Sequence, residues 1–300
     1  MSYLCVVMVW STTPMAIVVS NQSMSASASV MCRMTLALIV IAVIVSVAKP
    51  NAALKLTHWK IYLAAGFGIF PNMSFVYVAA QYIPSGLIAL IFALNPIFSA
   101  VFASALLKEP LGSVRKLFAI GLALIGLSII FNEHVTLDSQ SWIGISLILL
   151  STVAFSFSQV CIKACQQEGT VNAMEQTLGA LLFAVPGLII TWLCVEGIES
   201  GVGALQMSVS SGLAVVYLAV IGTVIGFMAY FYVLSQISVA VVSLIPLITP
   251  VMALWLGSFF LDEVVTNWMM LGTVFILTSL LMYGDLVTLA VNRARRFIRS

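Results

Sequence analysis

The chain has 300 residues, 62% of them apolar, with 12 Lys or Arg against 10 Asp or Glu. Charged residues make up 7%, where a soluble domain carries roughly 25%, so a water-exposed globule could not cover its surface. The hydrophobicity excludes disorder, and a near-neutral balance with no internal basic patch argues against nucleic acid as a partner. What remains is a polytopic membrane protein built almost wholly of spanning segments, with the lipid bilayer as its solvent.

A helical span needs about 20 mainly apolar residues. In chain order the sequence predicts ten: 3–20, 26–47, 60–80, 85–107, 114–131, 142–163, 172–195, 212–234, 239–260 and 267–286. The punctuation falls between them, at Ser20-Asn21-Gln22-Ser23, Lys49-Pro50-Asn51, Ile83-Pro84-Ser85 and Lys108-Glu109-Pro110. Barrel strands alternate polar and apolar residues; the run from Leu36 to Val45 does not, so the spans are helices. Weak boundaries fall between the third and fourth spans and at Pro186 inside the seventh. The first span lacks a preceding basic residue and is interrupted by Ser11-Thr12-Thr13-Pro14, unlike a cleaved signal.

With the sides numbered alternately, Lys49, Lys55, Lys60, Lys108, Arg115, Lys116, Lys163, Arg293, Arg295, Arg296 and Arg299 share one side. Glu133, Asp138, Glu196, Glu199, Asp262 and Glu263 fall on the other, and Arg33 lies inside the second span. The positive-inside rule then places both termini in the cytoplasm, with the basic tail over 291–300 as a topology anchor.

Two stretches match at a shift of 154 positions: Ile83 pairs with Ile237, Pro96 with Pro250 and Glu109 with Glu263. The expected architecture is an all-α membrane protein of ten transmembrane helices, as two inverted five-helix repeats over 1–133 and 140–290. Five is odd, so the copies insert in opposite senses, a recurrent design of secondary transporters that switch access between the two sides. Pro96 and Pro250 lie near the middle of their spans, where a proline frees a backbone carbonyl and kinks the helix. Paired defects at equivalent depth point to a binding site; a plain structural kink is the other reading, and the two are compatible.

Several motifs resemble the drug/metabolite transporter superfamily, in particular its EamA branch. They are Trp10-Ser11-Thr12-Thr13-Pro14, Arg33, Tyr77-Val78-Ala79-Ala80 leading to Asn95-Pro96 and Glu109, and Tyr217 to Thr223 with Tyr230 leading to Thr249-Pro250 and Glu263. The second unit departs from the pattern, with Ala154-Phe155-Ser156 where a tryptophan is common. The resemblance implies two EamA units, a central cavity between them, and export of metabolites or amino acids from bacteria.

Arg33 is the only ionisable group well inside the apolar layer. It reads either as the counter-charge of a substrate carboxylate or as an arginine that snorkels to the headgroups or holds helix carbonyls. Trp10 and Tyr77 lie too deep for an interface belt, and Asn72 and Asn95 each adjoin a proline, so these four and Tyr230 are the expected substrate contacts. Ser11, Thr13, Ser99, Ser156, Gln159, Thr223 and Thr249 could line the cavity or bond their own helices. Gly222-Thr223-Val224-Ile225-Gly226 reads as a small-residue face for helix contact. Glu109 and Glu263 end helices, the unfavourable end for an anion, and are expected to act as gate or latch, meeting basic or amide partners on the following helix.

Cys5, Cys32, Cys161, Cys165 and Cys194 lie in or beside spans and imply no disulfide framework. His58 and His134 fall in loops on opposite sides, so neither a zinc site nor intramembrane His-dependent catalysis is expected, and there is no phosphate-binding loop for ATP. No cofactor and no enzymatic activity are expected. The sequence points to a secondary transporter of the bacterial cytoplasmic membrane, monomer or homodimer, exporting a small organic metabolite by alternating access. Import, exchange, and a non-transporting scaffold are the alternatives.

Overall fold

The computed structural model describes residues 1–48, 55–83, 85–109, 114–132, 140–167, 169, 171–197, 207–249, 251–252 and 267–283. Among them the only regular structure is helical. The helices are α1 (Ser2–Ser20), α2 (Ala26–Ala48), α3 (Trp59–Phe67), α4 (Asn72–Ala79), α5 (Ser85–Phe92), α6 (Asn95–Leu107) and α7 (Val114–Asn132). Then follow α8 (Ser141–Gln166), α9 (Ala173–Glu196), α10 (Val209–Tyr217), α11 (Gly226–Gln236), α12 (Val239–Val242), α13 (245–249) and α14 (Asn267–Tyr283). A π-helical stretch, Leu218–Ile225, joins α10 to α11. By length and composition, six segments can cross a membrane: Ser2–Ser20, Ala26–Val47, Trp59–Ala79, Ser141–Gln166, Ala173–Glu196 and Val209–Gln236. Shorter apolar helices, Asn95–Leu107, Val239–Thr249 and Met270–Ser279, accompany them.

Burial is arranged for lipid. Ile39, Val43, Val47, Leu117, Phe118, Trp142, Ile190, Leu213, Trp268 and Val274 are exposed, while Arg33, Asn72, Asn95, Ser99, Ser156, Gln159 and Thr223 are buried. In hydrocarbon an apolar exterior costs nothing, and polar groups must find partners within the protein.

Three helices end by one rule. A proline lacks an N–H and its ring clashes with the carbonyl four residues earlier. Accordingly α3 ends at Phe67 before Pro71, α5 at Phe92 before Pro96, and α12 at Val242 before Pro246. The last two breaks share a hydrogen-bond pattern. Leu94 N–H donates to Ile91 O at 3.0 Å, and Leu244 N–H to Val241 O at 3.3 Å. Beyond each break, Ile97 N–H reaches Leu94 O at 2.9 Å and Leu247 N–H reaches Leu244 O at 3.0 Å. The residue that breaks the second helix as Pro96 breaks the first is therefore Pro246, one turn before Pro250, which lies outside the described residues. Pro186, expected to mark a boundary, lies within α9, which continues to Glu196.

The long helices pack across the two halves of the sequence. α2 and α3 lie against α9, α4 and α6 against α8, and α1 against α10 and α11. α7 and α14 pair with each other, and Ala119, Ile120 and Ala123 share a small core with Leu244, Leu247, Val251 and Ile276.

Candidate functional site

A cavity of ≈ 100 Å³ opens where α1, α2, α4, α5, α8, the π-helical stretch and α13 converge. One water needs roughly 10–15 Å³ measured this way, so the room suits a small solute. Its walls are mainly apolar and aromatic, with Trp10, Phe92, Phe155 and Phe227 prominent, and Pro246 and Thr249 also line it.

Three of the six expected contact residues reach the cavity: Trp10, Arg33 and Asn72. The other three stand behind its walls. Tyr77 is fully buried, and its hydroxyl accepts from Arg33 Nη1 at 3.2 Å. Tyr230 tilts against Trp10 with ring centroids 5.0 Å apart and against Phe155 at 5.6 Å. Asn95 lies below, in the polar seam described next.

Arg33 is 1% exposed. Among the described residues, its side chain bonds to hydroxyls rather than to helix carbonyls. Nε donates to Thr223 Oγ1 at 2.9 Å, and the guanidinium carbon lies 5.9 Å from the Tyr77 ring centre. Among the described residues its two hydrogen-bond partners are neutral hydroxyls, and the cavity lining includes no Asp or Glu. Taking an unpaired cation out of water costs several kcal/mol.

The expected helix-contact motif serves this site. A Cβ added at Gly222 would lie 3.3 Å from Arg33 Nη2, and one at Gly226 would lie 3.0 Å from Trp10 Nε1. Bare backbone at these two positions lets the guanidinium and the indole approach the π-helical stretch. Sequence periodicity gave no sign of that register, nor of Phe92 and Phe227 as lining residues, because an apolar residue in an apolar helix carries no distinguishing signal.

A polar seam runs along α8. Asn72 Nδ2 closes the break after α3 by donating to Gly68 O at 2.8 Å, while Ser151 donates to Asn72 Oδ1. One to two turns on, Ser156 donates to Asn95 Oδ1 at 2.5 Å and Ser99 to Gln159 Oε1 at 2.9 Å. Asn95 Nδ2 donates to Ser243 O at 3.4 Å, linking the break before α6 directly to the break before α13. Gln159 Nε2 and the Tyr230 hydroxyl lie beside each other, each buried and without a full hydrogen bond.

At the far end of α8, Lys163 donates to Leu234 O at 2.8 Å and to Ile237 O at 3.0 Å, placing a cation on the C-terminus of α11. Glu109 lies just past α6 and acts electrostatically on Lys163. Lys163 lies on α8, along which α6 packs. Glu263 lies outside the described residues. A second hollow of ≈ 330 Å³ opens among the start of α2, the end of α4 and the end of α9. Although larger, its one carboxylate, Glu196, is already engaged by Ser27 at 2.7 Å.

The sequence pattern of the EamA-like transporter family matches residues 1–132 and 142–284. The chain belongs to the EamA-like transporter family. It is a transporter-family membrane protein and not an enzyme. Among relatives of this EamA chain, a probable amino-acid metabolite efflux pump of Escherichia coli (strain K12) is 23% identical over 240 residues, covering 78% of both chains. The uncharacterized inner membrane transporter YedA of the same strain is 28% identical over 208 residues, 68% of this chain and 64% of its own. Protein PecM of Dickeya dadantii (strain 3937) is 24% identical over 228 residues, 76% of this chain and 74% of its own. One solved crystal structure shares the EamA chain's fold at a TM-score of 0.73 and 15% identity, covering 98% of this chain and 97% of the other.

Proposed function

We propose that this EamA protein is a secondary transporter of the bacterial inner membrane that exports a small organic metabolite bearing a carboxylate, an amino acid or similar. The observation that carries the proposal is Arg33: a buried guanidinium that, among the described residues, is bonded to hydroxyls and borders an aromatic cavity with no acidic residue. A solute carboxylate would supply the missing counter-charge, and the aromatic walls would take an apolar body. The relatives' printed names, an amino-acid metabolite efflux pump and an inner membrane transporter, support the substrate range, the direction and the membrane. Ten spans in two inverted halves, 1–133 and 140–290, with both termini and the tail over 291–300 in the cytoplasm, complete the reading. In that arrangement the halves rock about the cavity to expose it to either side.

The test is counterflow. Proteoliposomes loaded with a mixture of unlabelled amino acids should accumulate external labelled L-leucine transiently with the wild type and at the empty-liposome rate with Arg33→Gln. Accumulation by Arg33→Gln at the wild-type rate would refute the role given to this residue. No counterflow of any of the twenty L-amino acids by the wild type would refute the substrate class.

A further inference from the structure

Thr223 lies in the middle of the π-helical stretch, and its side chain has a single proton to give. That proton is directed to Leu218 O, five residues back, at 2.9 Å. The Met34 sulfur, a far weaker acceptor, is 3.9 Å away. With the proton committed, the hydroxyl presents only lone pairs to Arg33, and Nε–H donates to it at 2.9 Å. The five-residue spacing is a property of the π register; a regular α-helix would hold one residue fewer per turn and rotate residue 223 away from this line.

An arginine offers a carboxylate two bidentate edges, one formed by Nε with an Nη and one by the two Nη groups. Thr223 occupies Nε, which closes the first edge. Tyr77 takes one Nη1 hydrogen at 3.2 Å, and Nη2 passes the bare backbone of Gly222. Nη2 has no partner in the protein among the described residues, and Arg33 borders the cavity.

We infer that Thr223 is the positioning residue for substrate recognition: held in the π register, its hydroxyl fixes the guanidinium so that the Nη edge faces the solute carboxylate. This rests on the carboxylate role proposed for Arg33. It assigns the π-helical stretch a task, namely to set the angle at which the carboxylate is received.

The experiment compares L-leucine with L-leucinamide, which share a body and an ammonium and differ in the carboxylate. Dissociation constants are measured by isothermal titration on the full chain in nanodiscs, and the readout is the ratio of the two. A ratio is insensitive to the fraction of protein that is folded. The wild type should favour leucine, Arg33→Gln should abolish that preference, and Thr223→Val or Thr223→Ala should reduce it about tenfold, as expected for one hydrogen bond to a charged group. Thr223→Ser, which keeps the hydroxyl, should stay within about threefold of the wild type. If Thr223→Val and Thr223→Ala weaken both ligands equally and leave the ratio unchanged, Thr223 is merely structural and the inference falls while the role of Arg33 stands. If the wild type shows no preference, or Arg33→Gln keeps it, the carboxylate reading falls first and this inference with it.

Discussion

Asn95 hydrogen-bonds the break in the first half to the break in the second, and replacing it tests whether the seam holds the two together. In Asn95→Ala, Ser243 O loses its donor, and the Ser156 hydroxyl loses the 2.5 Å acceptor. Ser156 can fall back on Asn95 O, already 3.4 Å away, so its loss is partial. The lost contact to Ser243 is long, which places it at the weak end. A buried polar group left unpaired costs about 1–3 kcal/mol, so the variant should lose about 2–3 kcal/mol. At about 2–4 °C per kcal/mol for a chain of this size, the thermal transition of the protein in nanodiscs should fall by about 4–12 °C. A transition for Asn95→Ala within 1 °C of the wild type would refute the assignment.

Gly222→Val adds atoms where a Cβ alone would lie 3.3 Å from Arg33 Nη2, and it should abolish leucine counterflow while Gly222→Ala retains part of it. Lys163→Met removes two bonds to the carbonyls ending α11; at about 1.5–3 kcal/mol for a charge-assisted hydrogen bond, the thermal transition should drop by several degrees, and an unchanged transition would exclude the capping role. Phe155→Ala opens the aromatic wall that meets Trp10 at 5.8 Å and should weaken leucine binding more than alanine binding in titration. For the proposed orientation, Gln22→Cys should react with a membrane-impermeant maleimide in intact spheroplasts, and Lys55→Cys only after permeabilisation; the opposite pattern would invert the topology.

The helix ends were legible where covalent geometry dictates them. Proline acts through its own ring, so the break at Pro96 was legible as a kink, while the halt before Pro71 passed unread inside the span expected over 60–80. The break before Pro246 went unread, because the 154-residue shift drew attention to Pro250, which lies outside the described residues. The separation of Trp10, Arg33 and Asn72 on the cavity wall from Tyr77, Asn95 and Tyr230 behind it depends on helix rotation, which hydropathy does not encode when every face is apolar. The π register at Leu218–Ile225 is likewise a tertiary result: Gly222 and Gly226 permit it, while Arg33 and Trp10 on other helices occupy the space it leaves.

The seam beneath the cavity bears on how such a bundle can move. Packed side chains resist gradual deformation, so a switch needs elements with two discrete arrangements. Here the helices that meet under the cavity are already broken at Phe92 and Val242, and the segments beyond the breaks can pivot without disrupting a continuous ladder of hydrogen bonds. Among the described residues, the hydrogen bond that joins them is the 3.4 Å contact from Asn95 to Ser243 O, beside the apolar packing of Ala93 with Leu244 and Leu247. Near it, Gln159 Nε2 and the Tyr230 hydroxyl lie beside each other, buried and without a full hydrogen bond. Under the alternating access proposed above, the proline breaks before Pro96 and Pro246 would be where the bundle pivots between its two packings.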